Sequence, residues 1–364
     1  RPSSTRMWMK QLPLRPRHDL GGATFVVHAG WEVPASYSNL EVEVGSVRAS
    51  AGMIDLSDRV KVRVSGTDRV SFLNGLVTQD VASLTPGTWT YALVLTPKAK
   101  VVGDVWVYAL DDAFLLDMPA DEAGWVLDHV RKHLISDDVL LEEFPAAHIS
   151  LHGPQASALV RRLIGGDAVP KGPAAFASVP INKKSSMLVG SSVFPHLPGY
   201  EFISWTSALD DVWRRLVAMG ATPIGREAWN TLRIETGRAK AGVDMDETTI
   251  ALEARLERAI SFTKGCYEGQ ETIARATYQG HMNRLLVGFR VESDLVPVRG
   301  DSVVVEGKQV GQITSGTYSP TLRNVIAMGY IRRPQDALGT RVTIESEGWQ
   351  LRSIVTRLPF VSAA

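Results

Sequence analysis

The carboxyl-terminal part of the chain carries the pattern that most restricts its fold. From residue 284 on, short runs of β-branched and other apolar residues follow one another, and Glu306-Gly307 and Glu347-Gly348 stand where hairpin turns are expected. The runs cover residues 285–291, 303–305, 310–314, 325–331, 341–344 and 350–355. Short strands at this spacing are typical of a small antiparallel barrel or sandwich. The sequence therefore predicts a separate β-domain over residues 284–364, with a boundary near residues 276–284.

Upstream of this boundary, strand-like and helix-like segments alternate irregularly. Residues 60–64 alternate apolar and charged side chains, which predicts a half-buried strand. Residues 207–219 repeat apolar side chains at helical spacing, with Ser207 able to cap the start and Gly220 after the end. The segment shows no regular βαβ rhythm and no glycine-rich dinucleotide turn. An α+β fold is therefore predicted rather than a doubly wound sheet.

Composition excludes several classes of protein. The chain has 364 residues, enough for two or three domains at about 150 residues each. Lysine and arginine total 39, as do aspartate and glutamate, so the net charge is 39 − 39 = 0 and binding of nucleic acid through bulk charge is not supported. No run of about 18 apolar residues is present, so no membrane span is predicted. Residues 1–18 are basic and contain no acid, and we expect them to be poorly ordered.

Cys266 is the only cysteine of the chain. One thiol can form neither an internal disulfide nor a cysteine cluster for a metal, which excludes a disulfide-stapled scaffold and a zinc ribbon. The expected location is the reducing cytoplasm.

The surroundings of Cys266 form the densest group of chemically capable residues. The segment Lys264–Glu271 reads K-G-C-Y-E-G-Q-E, so the thiol lies in a polar, glycine-containing stretch. Lys264 favours the thiolate, whereas the nearby acids Glu268 and Glu271 oppose it. The pattern indicates a reactive or ligand-presenting thiol, and the alternative is a buried cysteine in a loop.

Two other clusters have more than one interpretation. Asp244, Asp246 and Glu247 could serve acid–base chemistry, hold a cation or bind a polar ligand, or could simply favour the start of a helix. His129 and His133 have a spacing that can bind metal on a helix, but no further ligand is close in sequence. An exposed polar helix face is predicted there, and no metal site.

Residues 242–249 and 258–271, including the K-G-C-Y-E-G-Q-E segment, resemble the YgfZ-type folate-binding proteins of the glycine-cleavage T-protein (aminomethyltransferase) superfamily. Further segments that resemble the wider superfamily are residues 29–31, 51–57, 72–81, 151–156, 199–201, 232–237 and 314–322. The resemblance implies a ring of three domains around a central tetrahydrofolate site. Residues 19–278 would form the folate-binding α+β region of two interleaved subdomains, and residues 284–364 a small antiparallel β-barrel.

The resemblance also implies a function. It is a tetrahydrofolate-dependent role in the assembly or maintenance of iron–sulfur clusters, with folate and iron–sulfur client or assembly proteins as partners and Cys266 as the functional thiol. An aminomethyltransferase or another folate-dependent one-carbon transferase is the first alternative, and a non-catalytic folate-binding adaptor is the second.

One departure from the family pattern bears on these alternatives. Aminomethyltransferases carry two aspartates in a G-G-x-x-D-D segment; here Gly103 stands in place of the first, and only Asp104 remains. This favours the iron–sulfur role over aminomethyl transfer. Glu201 matches a folate-contacting glutamate, and Trp229 aligns with a folate-contacting arginine. The residues expected to be catalytic are Cys266, Lys264 and Asp104, and those expected to bind folate are Met53, Asp104, Glu201, Trp229, Tyr267 and Gln270.

Overall fold

The computed structural model describes residues 9–182, 185–192, 194, 196–205, 207–280 and 282–362. The α-helices in this part of the chain are α1 (Arg15–Leu20), α2 (Leu40–Ala49), α3 (Arg69–Leu76), α4 (Ala120–His133), α5 (Ala156–Ile164), α6 (Ala208–Ala218), α7 (Arg226–Glu235) and α8 (Gln270–Gln279). Short 3₁₀ turns cover Gly166–Ala168 and Glu257–Ala259.

The strands alternate irregularly with the helices before residue 280 and then follow one another directly. They are β1 (Lys10–Gln11), β2 (Thr24–His28), β3 (Trp31–Ser36), β4 (Gly52–Asp55), β5 (Val60–Ser65), β6 (Trp89–Leu95), β7 (Val101–Ala109), β8 (Phe114–Met118), β9 (Leu140–Phe144), β10 (Ala147–His152), β11 (Phe176–Asn182), β12 (Ser185–Ser191), β13 (Gly199–Ser204), β14 (Thr222–Pro223), β15 (Arg284–Val291), β16 (Ser302–Val305), β17 (Lys308–Ser319), β18 (Asn324–Arg332), β19 (Arg341–Ser346) and β20 (Trp349–Thr356).

Two sheets form the centre of the molecule. One has five strands in the order β6-β7-β8-β5-β9, and the other has six in the order β11-β12-β13-β10-β4-β14. Their inner faces share one core, to which Tyr108 of β7 and Ile203 of β13 both contribute. Helices α3 and α4 pack on the outer face of the first sheet, and α5 and α6 on that of the second. The layer between the two sheets can therefore hold a functional site.

Strands β15 to β20 close into an antiparallel barrel in the order β15-β18-β17-β16-β19-β20. Pairing of β15 with β20 completes the ring, and residues such as Phe289 and Ile344 fill the interior. The predicted α+β fold class with a small carboxyl-terminal barrel is thus confirmed.

The amino terminus is more structured than the sequence predicted. Residues 1–8 lie outside the described residues, but β1 pairs in parallel with β3 and α1 follows it. His18 is fully buried, with Nε2 2.8 Å from Asp55 Oδ2 and Nδ1 2.7 Å from the hydroxyl of Tyr37. The expectation of a poorly ordered end is therefore wrong for residues 10–18, because buried polar pairs formed with distant residues hold this segment.

The acidic run at residues 244–247 begins no helix. Asp244 is buried and accepts hydrogen bonds from Arg233 at 2.5 Å and from the hydroxyl of Ser315 at 2.7 Å. These contacts connect α7 to β17 of the barrel. Among the described residues, no helix is both long and apolar enough to cross a bilayer.

Candidate functional site

A bulge in β7 lies just before the side chain that faces the space between the sheets. Val94 of β6 pairs with Gly103, but the next residue, Leu95, pairs with Val101, so Val102 is an extra residue on β7. A bulge of this kind redirects the side chains beside it. Asp104 lies beyond the bulge, where regular alternation places it on the inner face with Trp106 and Tyr108, whereas a Cβ built on Gly103 would point at α4, 2.5 Å from Val126 Cγ2.

Asp104 lies on the wall of a cavity of about 240 Å³. The residues that line it are His28, Leu56, Asp58, Arg59, Asp104, Pro119, Asp121, Glu122, Phe194, Arg226, Trp229, Asn230, Arg233, Arg238, Ala239 and Lys240. Helix α7 contributes four of them on one face, since Arg226, Trp229, Asn230 and Arg233 repeat at helical spacing. The cavity therefore combines aromatic surface with charges of both signs.

The carboxylate of Asp104 has two buried partners. The hydroxyl of Tyr91 donates to it at 2.8 Å, and Arg238 Nη2 lies 3.4 Å away. The Arg238 guanidinium is 4.5 Å from the ring centre of Trp106 and 4.0 Å from that of Phe194. Aromatic contact and the carboxylate together hold the guanidinium in place.

Glu122 places a second carboxyl group beside Asp104. The backbone N–H of Asp104 donates to Glu122 Oε2 at 3.1 Å, and the Glu122 side chain is fully buried. Burial and the negative charge of Asp104 raise the pKa of Glu122 well above its ordinary value. The cavity wall therefore holds a carboxyl group whose protonated form is favoured, beside the carboxyl group of Asp104, and such a pair can serve general acid–base chemistry.

Several buried polar atoms of the cavity wall have no hydrogen-bond partner among the described residues. They are Arg59 Nη2, Asp121 Oδ1, Glu122 Oε1 and Arg226 Nε. Buried polar groups are normally paired, because an unpaired one costs about 1–3 kcal/mol. Two donors and two carboxyl oxygens are thus available to a ligand that carries both donors and acceptors.

A network of ion pairs lies at another part of the wall. His28 Nδ1 is 3.1 Å from Asp58 Oδ2, and its Nε2 is 3.5 Å from Asp121 Oδ2. Hydrogen bonds first to Asp121 and then to Asp58 raise the pKa of His28. Lys240 Nζ contacts Asp121 at 2.6 Å, and Arg226 pairs with Asp58. Burial opposes ionisation of both aspartates, but these cationic partners hold the pKa of each well below its usual range.

Only some of the residues expected to bind folate line the cavity. Trp229 and Asp104 line the cavity. Glu201 is buried on β13 without lining it, and its Oε2 is 2.9 Å from His148 Nε2 while its Oε1 has no hydrogen-bond partner among the described residues. Met53 does not reach the cavity, because it lies on the opposite face of β4 in the core with Ile149.

The remaining predicted residues belong to the segment before α8, and none of them lines the cavity. Cys266 is exposed. Lys264 Nζ donates to the backbone oxygens of Asn74, Val77 and Gln79 at 2.6, 2.5 and 2.9 Å, and burial lowers its pKa to about 8.

Tyr267 and Gln270 support this loop. The ring of Tyr267 is buried with its centre 4.8 Å from Lys264 Nζ, and Gln270 Nε2 is 3.5 Å from the Lys264 backbone oxygen. Lys264 therefore binds the carboxyl-terminal end of α3. Of the four predicted residues in this segment, Cys266 is the one whose reactive group is exposed and available for chemistry.

Comparison with known proteins identifies the family. The GCVT N-terminal domain matches residues 14–264, and the glycine cleavage T-protein C-terminal barrel domain matches residues 284–362. The chain belongs to the glycine-cleavage T-protein family. Relatives in this family include an aminomethyltransferase of Rubrobacter xylanophilus, 32% identical over 97% of this chain and 94% of that protein. Another is an aminomethyltransferase of Chlorobium chlorochromatii, 30% identical over 97% of this chain and 99% of that protein.

A solved family structure agrees over the whole chain. The glycine cleavage system aminomethyltransferase T from Bartonella henselae superposes with a TM-score of 0.89 at 25% identity, covering 98% of this chain and 99% of that one. The T-protein superfamily is thereby confirmed for this chain. The relatives named here are aminomethyltransferases, so the narrower resemblance to the YgfZ-type branch rests on residues 242–249 and 258–271, which include the K-G-C-Y-E-G-Q-E segment.

Sequence reasoning missed Tyr91, Glu122 and Arg238. Each reaches Asp104 only through folding: Tyr91 and Glu122 are 13 and 18 residues from Asp104, and Arg238 is 134 residues from it. Glu122 stands in the first turn of α4, where an acid is expected for helix stability alone. No local pattern distinguishes Tyr91 from an ordinary strand residue, or Glu122 and Arg238 from ordinary surface charges.

Proposed function

We propose that this protein is a tetrahydrofolate-dependent transferase of one-carbon units. The observation that carries the proposal is the pair of Asp104 and Glu122 on the cavity wall: Asp104 is bound by Tyr91 and Arg238, and Glu122 accepts from the Asp104 backbone and has a raised pKa that favours its protonated form. Relatives of nearly the same length are named aminomethyltransferase, which supports the same reaction class.

The donor and acceptor set of the cavity suits a folate. A reduced pterin carries an amino group, ring N–H groups and a carbonyl on one edge, which match carboxyl oxygens on one side and guanidinium groups on the other. A cavity of about 240 Å³ is smaller than the roughly 300–1,000 Å³ of pockets for drug-sized ligands. It therefore suits the pterin head, while Trp229 and Phe194 supply aromatic surface against the ring.

The chain's own residues supply proton transfer and charge. Bound tetrahydrofolate would provide the nucleophilic amine that takes up the one-carbon unit. Asp104 can accept a proton from an amine at the cavity wall, and its contacts with Tyr91 and Arg238 keep the carboxylate oriented. Glu122 Oε1 lacks a partner and can deliver a proton to a leaving group. Gly103 takes no part, because its position faces α4.

Calorimetry and turnover together test this proposal. Tetrahydrofolate is titrated into the wild-type chain, Asp104→Asn and the control Asp246→Asn, whose position does not line the cavity. Formation of a one-carbon-substituted folate from an aminomethylated carrier protein is then measured. We expect Asp104→Asn to bind folate but to lose about 10²-fold in kcat or more, and Asp246→Asn to behave as wild type. Unchanged turnover by Asp104→Asn contradicts the proposal, and folate binding without any turnover in wild type indicates an adaptor.

A second function is favoured by the exposed position of Cys266 within its segment. It is the YgfZ-type role, in which folate binding supports the assembly or maintenance of iron–sulfur clusters and the thiol contacts the client or the cluster. Because Cys266 does not line the cavity, its chemistry would be separate from that of Asp104.

Cys266→Ser separates the two functions. In cells that lack the wild-type chain, the activity of iron–sulfur enzymes is compared after rescue with Cys266→Ser and with Asp104→Asn. The maintenance role predicts that the serine variant fails to rescue although it binds folate and keeps any transferase turnover. Full rescue by Cys266→Ser would show that the maintenance of iron–sulfur enzymes does not require the thiol.

A further inference from the structure

The structure brings an acid to the histidine pair of α4. His129 and His133 lie one turn apart, and Glu268, from the loop that precedes α8, contacts both of them. Glu268 Oε2 is 2.8 Å from His129 Nε2 and 3.3 Å from His133 Nε2. One ligand atom from each of these three side chains lies within 4.8 Å of the others. No third ligand is close to the two histidines in sequence, and the fold supplies Glu268, which is more than one hundred positions from His129.

The hydrogen bonding of His133 determines which nitrogen faces the acid. His133 Nδ1 lies 2.9 Å from the backbone oxygen of His129, which can only accept, so Nδ1 carries the proton. In the neutral ring Nε2 then presents a lone pair, and its neighbour is a carboxylate oxygen. Two lone pairs that face each other repel, so a positive charge between them stabilises the cluster. A ring N–H bound to a backbone oxygen is also the usual support of a histidine metal ligand.

The spacing suits a first-row transition metal. Bonds of about 2.0–2.2 Å in a tetrahedral site place ligand atoms roughly 3.3 Å apart. The separations of 2.8 and 3.3 Å from Glu268 Oε2 lie near this value, and all three ligand atoms lie within 4.8 Å of one another, so binding requires side-chain rotations that bring them to this spacing. The side chains of His129 and Glu268 are 15% and 12% exposed, and that of His133 is 42% exposed. An ion can therefore enter from the side of His133.

Space remains on that side for a further ligand. His133 and Glu268 border an open concavity of about 390 Å³, together with Asp137, Phe72, Gly75 and Leu76. The negative charge of Asp137, the second acid of this concavity, favours a cation there. Three protein ligands beside open space are typical of sites that keep a coordination position for water or an exchangeable ligand.

We propose that His129, His133 and Glu268 form a binding site for a divalent first-row transition metal ion such as Zn²⁺. The site connects α4 to the loop that carries Cys266, and it is separate from the cavity of Asp104. Its existence does not depend on the proposed transferase function.

Metal titration of the untagged full-length chain tests the proposal. The protein is treated with a chelator, and Zn²⁺ binding is followed by calorimetry and Co²⁺ binding by the visible absorption of the ion. The variants are His133→Asn and Glu268→Gln. The controls are His196→Asn, at an exposed histidine outside the cluster, and Cys266→Ser, which removes the only thiol. Circular dichroism checks that each variant is folded.

We expect one Zn²⁺ per wild-type chain and an increase of Tm with added Zn²⁺. His133→Asn and Glu268→Gln should weaken binding by about 100-fold or more, while both controls retain it. A wild-type chain that binds no Zn²⁺ below millimolar concentration overturns the proposal and makes the cluster a proton-linked contact. Binding that survives in His133→Asn and Glu268→Gln, or that is lost in Cys266→Ser alone, overturns it as well.

Discussion

The hydroxyl of Tyr91 donates a 2.8 Å hydrogen bond to Asp104 from the neighbouring strand of the five-stranded sheet. Burial, and then the charge of Asp104, raise the pKa of Tyr91 well above its ordinary value, so the phenol remains a donor throughout the neutral range. The two residues share a face because Asp104 is opposite Leu93 and Tyr91 is two residues before Leu93 on its strand. The opposite orientations of Gly103 and Asp104 therefore lead to measurable effects of substitution at position 103.

Gly103→Ala should destabilise the protein without improving any transfer reaction. The new Cβ would lie 2.5 Å from Val126 Cγ2 and 3.2 Å from Glu122 Oε2, in a buried position. Overpacking of this kind costs about 1–3 kcal/mol. Urea denaturation should show the loss in the free energy of unfolding. The control is Gly265→Ala, whose Cβ meets no atom within 4 Å; equal stability of the two variants contradicts the placement of Gly103.

Lys264→Met should lower stability through the carboxyl-terminal end of α3. The ammonium group donates to three backbone oxygens, which lose these partners in the variant. Leaving buried carbonyl groups unpaired costs about 1–3 kcal/mol. Thermal and chemical unfolding measure the effect, with Lys132→Met on the exposed side of α4 as the matched control. A loss of function at unchanged stability would instead assign Lys264 a chemical role.

Glu122→Gln should stabilise the protein increasingly as the pH rises. The folded-state pKa of Glu122 lies well above the ordinary 4.5, so folding above pH 4.5 requires uptake of a proton by this group and costs stability. The amide avoids that cost, and the difference in unfolding free energy between variant and wild type should grow from about pH 4.5 toward the folded-state pKa. Denaturant curves at pH 4, 6 and 8 provide the comparison. A constant difference would show that Glu122 ionises normally.

His28→Gln should have the opposite pH profile. Because hydrogen bonds to Asp121 and Asp58 raise the pKa of His28 above 6.5, the charged ring stabilises the fold fully below pH 6.5. The stabilisation is lost as the pH rises through the folded-state pKa. The deficit of His28→Gln relative to wild type should thus be largest near pH 5.5 and shrink above neutrality. If the deficit does not change with pH, the ring does not titrate against these aspartates.

Much of the architecture follows from local patterns in the sequence. Strands joined by Glu306-Gly307 and Glu347-Gly348 turns predict antiparallel hairpins, because each hairpin is specified by residues close in sequence. The family resemblance, and not this local pattern, favours a barrel over a sandwich. The helix predicted at residues 207–219 is present as α6, Ala208–Ala218, for the same reason. Local periodicity reports which face of an element is apolar.

What the sequence by itself determined is therefore the α+β class, the barrel and the candidate status of Asp104 and Cys266. The tertiary structure alone decided that Asp104 meets Tyr91, Glu122 and Arg238 at a cavity, and that Met53 faces a different core. It alone decided that Glu268 reaches the histidines of α4 and that Lys264 binds backbone oxygens. The physical reason is that these contacts join residues distant in the chain. Their distances depend on strand pairing and on the packing of the sheets and helices, which no short segment specifies.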